Sequence, residues 1–121
     1  VHEKLRSYTY IYPDLAKGQD DSIYWNAEQS AERAAEYVKK GFTAIKFDPA
    51  APYSAFDPRQ PSLESIELCT RFCRLIREAV GDKADILFGT HGQYTVSGAK
   101  RMARRLENAE SLRRRGVSSR D

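Results

Sequence analysis

Lys46 and His91 are the two side chains best placed in the sequence to move a proton. Lys46 stands in an otherwise apolar run, Ala44-Ile45-Lys46-Phe47, directly before Asp48-Pro49. In an extended chain Ala44, Lys46 and Asp48 share one face, and Ile45 and Phe47 share the other. The larger apolar residues must meet helices, so Lys46 and Asp48 are expected to point inward. An inward lysine loses hydration, and its pKa is expected to fall toward the range of a general base. A structural Lys46–Asp48 ion pair, or a lysine reaching solvent at a strand end, fits the same pattern equally well. His91 is one of two histidines; His2 is terminal and is given no role. His91 lies between Thr90 and Gly92, just past a short apolar run, and Gly89 and Gly92 allow backbone bends and the close approach of a ligand. An imidazole there can transfer a proton near neutral pH, ligate a metal, or simply hydrogen-bond to backbone. Asp48 and Tyr53 are the candidate substrate contacts. Tyr53 sits in the segment 48–61, which also carries Phe56 and the prolines Pro49, Pro52, Pro58 and Pro61. Such a segment is pre-ordered by its prolines, and suits either a lid over a small polar substrate or a packed crossover loop.

The elements that must position these groups alternate in type. Residues 5–12 are rich in aromatic and β-branched side chains and stop at Pro13, which predicts a strand. A polar loop follows over 14–25. Asn26 is a good N-cap for a helix whose stripe is Ala27, Ala31, Ala34, Ala35 and Val38, ended by Gly41. A stripe of alanines must lie close against something flat, such as a sheet. Phe42–Phe47 predicts a second strand. Ser62 caps a second helix with the stripe Ile66, Cys69, Phe72, Cys73, Ile76, Ala79 and Val80, closed by Gly81. Asp85–Gly89 is a third short apolar run. Thr95 or Ser97 then starts a last helix, with Ala99, Met102, Ala103 and Leu106 expected inward.

Strands alternating with helices of this length mean parallel βαβ units with right-handed crossovers. A doubly wound open sheet and an arc of a (β/α)8 barrel both have this order. No Gly-x-Gly-x-x-Gly follows the first strand, which disfavours a dinucleotide-binding sheet. Polar groups crowd instead at the C-terminal ends of strands two and three, where a barrel keeps its active site. The expected fold is therefore α/β, a partial (β/α)8 TIM barrel made of roughly the first three βα units.

Composition narrows the function classes. Of 121 residues, 40% are apolar and 31% charged, a soluble globular balance. No apolar run approaches the ~20 residues that a membrane span needs, and the N-terminus has no apolar core of a signal peptide. A cytoplasmic protein with no membrane partner is expected. The net charge of +3 is unevenly spread: residues 100–121 hold eight Lys/Arg against three acids, a local +5. The body is thus not basic, and no nucleic-acid partner is expected. Cys69 and Cys73 lie on one helical face and are expected to be small buried apolar groups rather than metal ligands or a disulfide.

Four segments together carry a resemblance. They are Glu36-Tyr-Val-Lys-Lys-Gly-Phe-Thr-Ala-Ile-Lys-Phe-Asp48, the helix end Arg77-Glu-Ala-Val-Gly81, the run Ile86-Leu-Phe-Gly-Thr-His-Gly92, and Ala99-x-x-x-Ala-Arg-Arg-Leu-Glu107. Over residues 4–107 the chain resembles the enolase superfamily, in particular the mandelate racemase/muconate lactonizing enzymes of the sugar-acid dehydratase and cycloisomerase branch, including D-galactonate dehydratases. The resemblance implies removal of the proton next to a carboxylate, with Mg2+ stabilising the enediolate. It places Lys46 at the basic lysine of the second barrel strand and His91-Gly92 at the acid/base histidine past strand three. One of the two would take the α-proton and the other help the β-hydroxyl leave.

The sequence departs from that family at several points. Many members of the family follow the strand-two lysine with x-Lys, whereas this chain has Phe47-Asp48. Its strand-three metal-binding Asp is replaced by Gly89, so that either His91 ligates the ion or the ion is held differently. Its other metal carboxylates lie on strands four and five. After Glu107 the sequence no longer follows the family, which leads to the expectation of a domain over 1–107 followed by a basic tail over 108–121, disordered or foreign to the family, as a truncated reading frame would leave. A sugar acid is the expected substrate of the full-length enzyme. The chain by itself is expected to be inactive, to bind no Mg2+, and to associate with itself through open sheet edges. The competing reading is a non-catalytic module that works through a partner chain and its basic tail.

Overall fold

The computed structural model describes residues 4–48, 62–89 and 94–118, with side chains as far as residue 109. Tyr53 and His91 lie outside the described residues. The element order is β1 (Thr9–Tyr10), α1 (Ala27–Lys39), β2 (Ala44–Phe47), α2 (Leu63–Val80), β3 (Asp85–Phe88) and α3 (Val96–Ser118). The strands form one parallel sheet in the order β1-β2-β3. In register, Tyr10 stands beside Lys46 and Lys46 beside Leu87, while Thr9, Ile45 and Ile86 make the neighbouring row. Each row keeps to one face, because paired residues in a ladder point the same way.

The two faces differ in what covers them. Ile45 and Phe47 are buried among the helices, where Phe47 stacks on Phe72 of α2 at 6.1 Å between centroids. Ile23, Ala27, Ala34, Ile66, Cys73, Ile76, Val80, Met102 and Leu106 complete this core. Both cysteines are buried as expected, and burial pushes the Cys69 thiol up to about 12. A proton-bearing thiol of that kind is inert as a nucleophile.

The helix caps follow the sequence. Asn26 Oδ1 accepts from the Gln29 amide at 3.0 Å, Ser62 Oγ accepts from the Ser65 amide at 3.0 Å, and Thr95 Oγ1 accepts from the Gly98 amide at 3.2 Å. Gly41 ends α1 at φ 109°, a conformation that non-glycine residues resist, and turns the chain straight into β2.

Several expectations change. The first strand is shorter than 5–12, because only Thr9–Tyr10 pairs in the ladder. The polar loop 14–25 contains two 3-10 turns, Leu15–Lys17 and Asp21–Trp25, and the second carries the fully buried Ile23. On α1 the buried face includes Ser30, Arg33 and Tyr37, while Ala35 and Val38 are half-buried. Arg33 is only 7% exposed, yet every part of it is engaged. It donates to the Tyr12 carbonyl at 2.8 Å, to Glu36 at 2.6 Å and to the Tyr37 hydroxyl at 3.1 Å, so it ties the exit of β1 to the helix. Ala79, Ala99 and Ala103 are exposed rather than inward. Ala103 instead lines an open groove with Leu106, Ile86 and Phe88, between α3 and β3. Finally, α3 runs on to Ser118, so the expected disordered tail is helical over 108–118.

Candidate active site

The mouth-facing side of the sheet is a short polar strip with one cation at its centre. Tyr8, Tyr10 and Tyr12 alternate along the first strand segment and so share a side. Their rings touch in sequence, Tyr8 to Tyr10 at 6.2 Å and Tyr10 to Tyr12 at 5.9 Å between centroids. Lys46 lies against this row. Its Nζ is 4.8 Å from the Tyr10 ring centroid and 5.4 Å from that of Tyr8, close enough for cation–π attraction from both.

On the other side of Lys46 the sheet has no side chain at position 89. A Cβ built on Gly89 would fall 2.2 Å from Asp48 Oδ1 and 3.0 Å from Lys46 Cε. The glycine was expected to allow a ligand to approach. In the structure it makes room for the Asp48 carboxylate and the Lys46 stem, and so holds two of the candidate residues together.

The electrostatics of Lys46 correct the expectation of a lowered pKa. A hydrogen bond with the Tyr10 side chain holds the ammonium above the ordinary lysine value. Burial pulls the other way but is outweighed, and Tyr10, Tyr8 and Asp48 add attraction. Lys46 is half-buried and does not suffer the full desolvation that makes a lysine a base near neutral pH.

At the opposite, N-terminal end of the same face, Arg6 laces the three strand starts together. It donates to Thr43 Oγ1 at 2.9 Å, to the Thr43 carbonyl at 2.6 Å and to Asp85 Oδ2 at 2.7 Å. Both partners of the ion pair are more than half exposed, and the contact is structural.

Of the four candidate residues, the structure brings Lys46 and Asp48 together, whereas His91 and Tyr53 fall outside the described residues. Tyr8 and Tyr10 were not singled out as site residues, although their parity relative to Lys46 was legible once β1 and β2 were taken as neighbours. Among the described residues no three of His, Cys, Asp and Glu come together to hold a metal ion. With Asp48 packed against the Gly89 backbone, the described donors do not compose a Mg2+ site, and the chemistry must be argued from the side chains themselves. No helix of the described residues is long and apolar enough to cross a membrane.

A parallel βαβαβα sheet with its polar side chains gathered at the C-terminal ends of the strands has the architecture of an arc of a (β/α)8 barrel. Comparison with known proteins agrees. The Enolase C-terminal domain-like family matches residues 29–112, and the chain belongs to that family. It is 39% identical over 79 residues to a D-gluconate dehydratase from Thermoproteus tenax, covering 64% of this chain and 15% of that one. It is 32% identical over 112 residues to a D-xylonate dehydratase from Haloferax volcanii, covering 89% of this chain and 26% of that one. Among solved structures, a protein of mandelate racemase/muconate lactonizing type from Labrenzia alexandrii DFL-11 superposes with a TM-score of 0.78 at 60% identity, covering 90% of this chain and 27% of that chain. The fold is thus a partial TIM barrel. The chain spans about a quarter or less of the length of these relatives. The family match extends past residue 107, into the segment expected to be foreign to it.

Proposed function

We propose that this chain supplies the first three βα units of a sugar-acid dehydratase barrel, in which Lys46 and His91 are the proton-transfer groups. The observation that carries this reading is the position of Lys46. It stands at the C-terminal end of the central strand, on the face away from the helices, between a row of tyrosines and the end of the strand that leads to His91. The printed activities of the curated relatives, D-gluconate and D-xylonate dehydration, support an aldonic acid as substrate.

In such a reaction a base takes the proton from the carbon beside the carboxylate. The electron pair of that C–H bond becomes a C=C bond, the β-carbon–oxygen bond breaks, and the hydroxyl leaves as water with a proton from an acid. Asp48 can accept a hydrogen bond from a substrate hydroxyl at the same mouth, and Tyr53 would add a contact from the proline-rich segment. Mg2+ belongs to the proposal for the whole enzyme, with its carboxylates on strands four and five as the resemblance implies. By itself the chain is proposed to be inactive. Leu87 and Phe88, 38% and 40% exposed at the outer strand, favour association with further barrel strands or with a second copy.

The test is a chimera in which residues 4–107 replace the matching segment of the Labrenzia alexandrii protein. It is offered a panel of aldonic acids, and the product is identified. Formation of a 2-keto-3-deoxy acid that needs Lys46 supports the proposal. A folded chimera that dehydrates no aldonic acid contradicts it.

A further inference from the structure

The segment between β1 and α1 is fastened to the helix in two different ways. Residues 14–19 close on themselves. The Gln19 amide donates to the Asp14 carbonyl at 3.1 Å, the Asp14 amide donates to Gln19 Oε1 at 2.8 Å, and Asp14 Oδ1 accepts from the Ala16 amide at 3.1 Å. No residue from 12 to 20 is buried, and Leu15, the one large apolar side chain of the loop, is 78% exposed. Apolar burial therefore does not seat this loop. What reaches α1 is an alternating row of four charges. Lys17 Nζ lies 3.0 Å from Glu36, Glu36 lies 2.6 Å from Arg33, and Arg33 lies 3.6 Å from Asp14. Arg33 first, and then Lys17, hold the Glu36 carboxyl below its ordinary range, so it keeps its charge. The guanidinium of Arg33 is itself fixed over the Tyr37 ring at 4.3 Å and against the Tyr12 carbonyl at 2.8 Å. Residues 21–25 are held otherwise. Ile23 is fully buried, and its carbonyl accepts from Ser30 Oγ at 2.6 Å and from the Asn26 amide at 3.2 Å.

We propose that residues 14–19 are a preassembled flap latched to α1 by these ion pairs, and that the flap detaches while Ile23 keeps residues 21–25 seated. The inference is independent of the dehydratase reading and uses none of its site residues. Ion pairs near water contribute little, whereas a fully buried isoleucine contributes more, so the flap is the weaker of the two attachments and opens without unfolding the core. The two arms of the latch are unequal. The Lys17 side chain is 62% exposed and open to screening by salt. The Arg33 side chain is 8% exposed and reaches Glu36 and Asp14 with a planar fork that a lysine cannot reproduce. Release of the Arg33 arm also unties the Tyr12 carbonyl, so the flap is coupled to the end of the tyrosine row. A single 3-10 turn cut loose from its helix does not persist in water, and detachment therefore exposes the amides of the flap to solvent.

The experiment is amide hydrogen exchange, resolved by NMR in the whole chain under native conditions. The amides of Lys17, Gly18 and Gln19 report the flap, those of Ile23 and Asn26 the plugged part, and those of Ile76 and Val80 the core of α2. In the native chain the flap amides are expected to be protected, but less than Ile23 and less than α2. Raising NaCl to about 1 M, where the screening length is about 3 Å, is expected to lower flap protection about two- to fivefold relative to Ile23. Lys17→Met is expected to do the same at low salt and to remove most of the salt response. Arg33→Lys keeps the charge and loses the fork, and is expected to lower flap protection about tenfold or more, beyond any change at Ile76 and Val80. Flap amides that are unprotected, or that exchange in step with α2 under every condition, overturn the proposal. The native chain and its salt series give that answer even if Arg33→Lys fails to fold. Flap protection that ignores both salt and Lys17→Met also overturns it, because the loop is then seated by packing and not by charge.

Discussion

The two faces of β2 are built from adjacent residues and obey different rules. Ile45 and Phe47 point to the helices and are 0% and 5% exposed. Their identities are set by volume, and Phe47 is gripped by Phe72 on one side and Phe88 on the other. Lys46, between them in sequence, points the other way and is placed by ring faces, a hydrogen bond and the absence of a side chain at Gly89. One strand thus anchors the fold with one parity and presents chemistry with the other. The rigidity of the first face is what allows the second to hold a charged group at a fixed place.

Substitutions on the two faces should therefore separate stability from site properties. The largest effect is expected at Phe47→Ala, which removes a buried ring from the helix side. It should cost about 3–5 kcal/mol in denaturant unfolding, in line with aromatic truncations in cores. Gly89→Ala comes next. Its Cβ would need the space of Asp48 Oδ1, so the carboxylate and the Lys46 stem must move. A loss of about 1–3 kcal/mol is expected from this overpacking, together with a changed Lys46 titration, which Phe47→Ala in a variant that still folds should affect less. The smallest effect is expected at Arg6→Ala, on the mouth face but at the other rim. The ion pair with Asp85 is exposed, so about 0.2–1 kcal/mol is expected, with no change at Lys46. If Arg6→Ala moved the Lys46 titration, the two rims would not be independent.

The parts of the fold legible in the sequence are those governed by periodicity and capping. Asn26, Ser62 and Thr95 start helices, and Gly41 and Gly81 end them, because local hydrogen bonds and a permitted φ decide those positions. The direction of Lys46 was legible because Ile45 and Phe47 outweigh Ala44 in apolar area. What sequence spacing did not carry was contact between separate segments. Arg33 looks like a surface residue of an alanine-rich helix, yet it is buried because the Tyr12 carbonyl, Glu36 and Tyr37 all converge on it. Ile23 sits in a polar stretch, and only the 3-10 turn Asp21–Trp25 takes it inward. Ala99 and Ala103 fit a helical stripe but are exposed, and Ala103 faces an open groove beside the edge strand β3. The raised pKa of Lys46 was missed for the same reason. A lysine among apolar neighbours in one strand reads as desolvated, while the tyrosines that stabilise its charge come from another strand.

The most direct measurement of the central claim is the kcat of the completed barrel on its best aldonic acid, with Lys46→Ala beside the native sequence. If Lys46 transfers a proton in the reaction, the substitution lowers kcat by about 10²–10⁴-fold, the range of a lost acid or base, while the protein stays folded. A kcat that survives Lys46→Ala within a few-fold would contradict the claim and leave Lys46 as a structural partner of Tyr10 and Asp48.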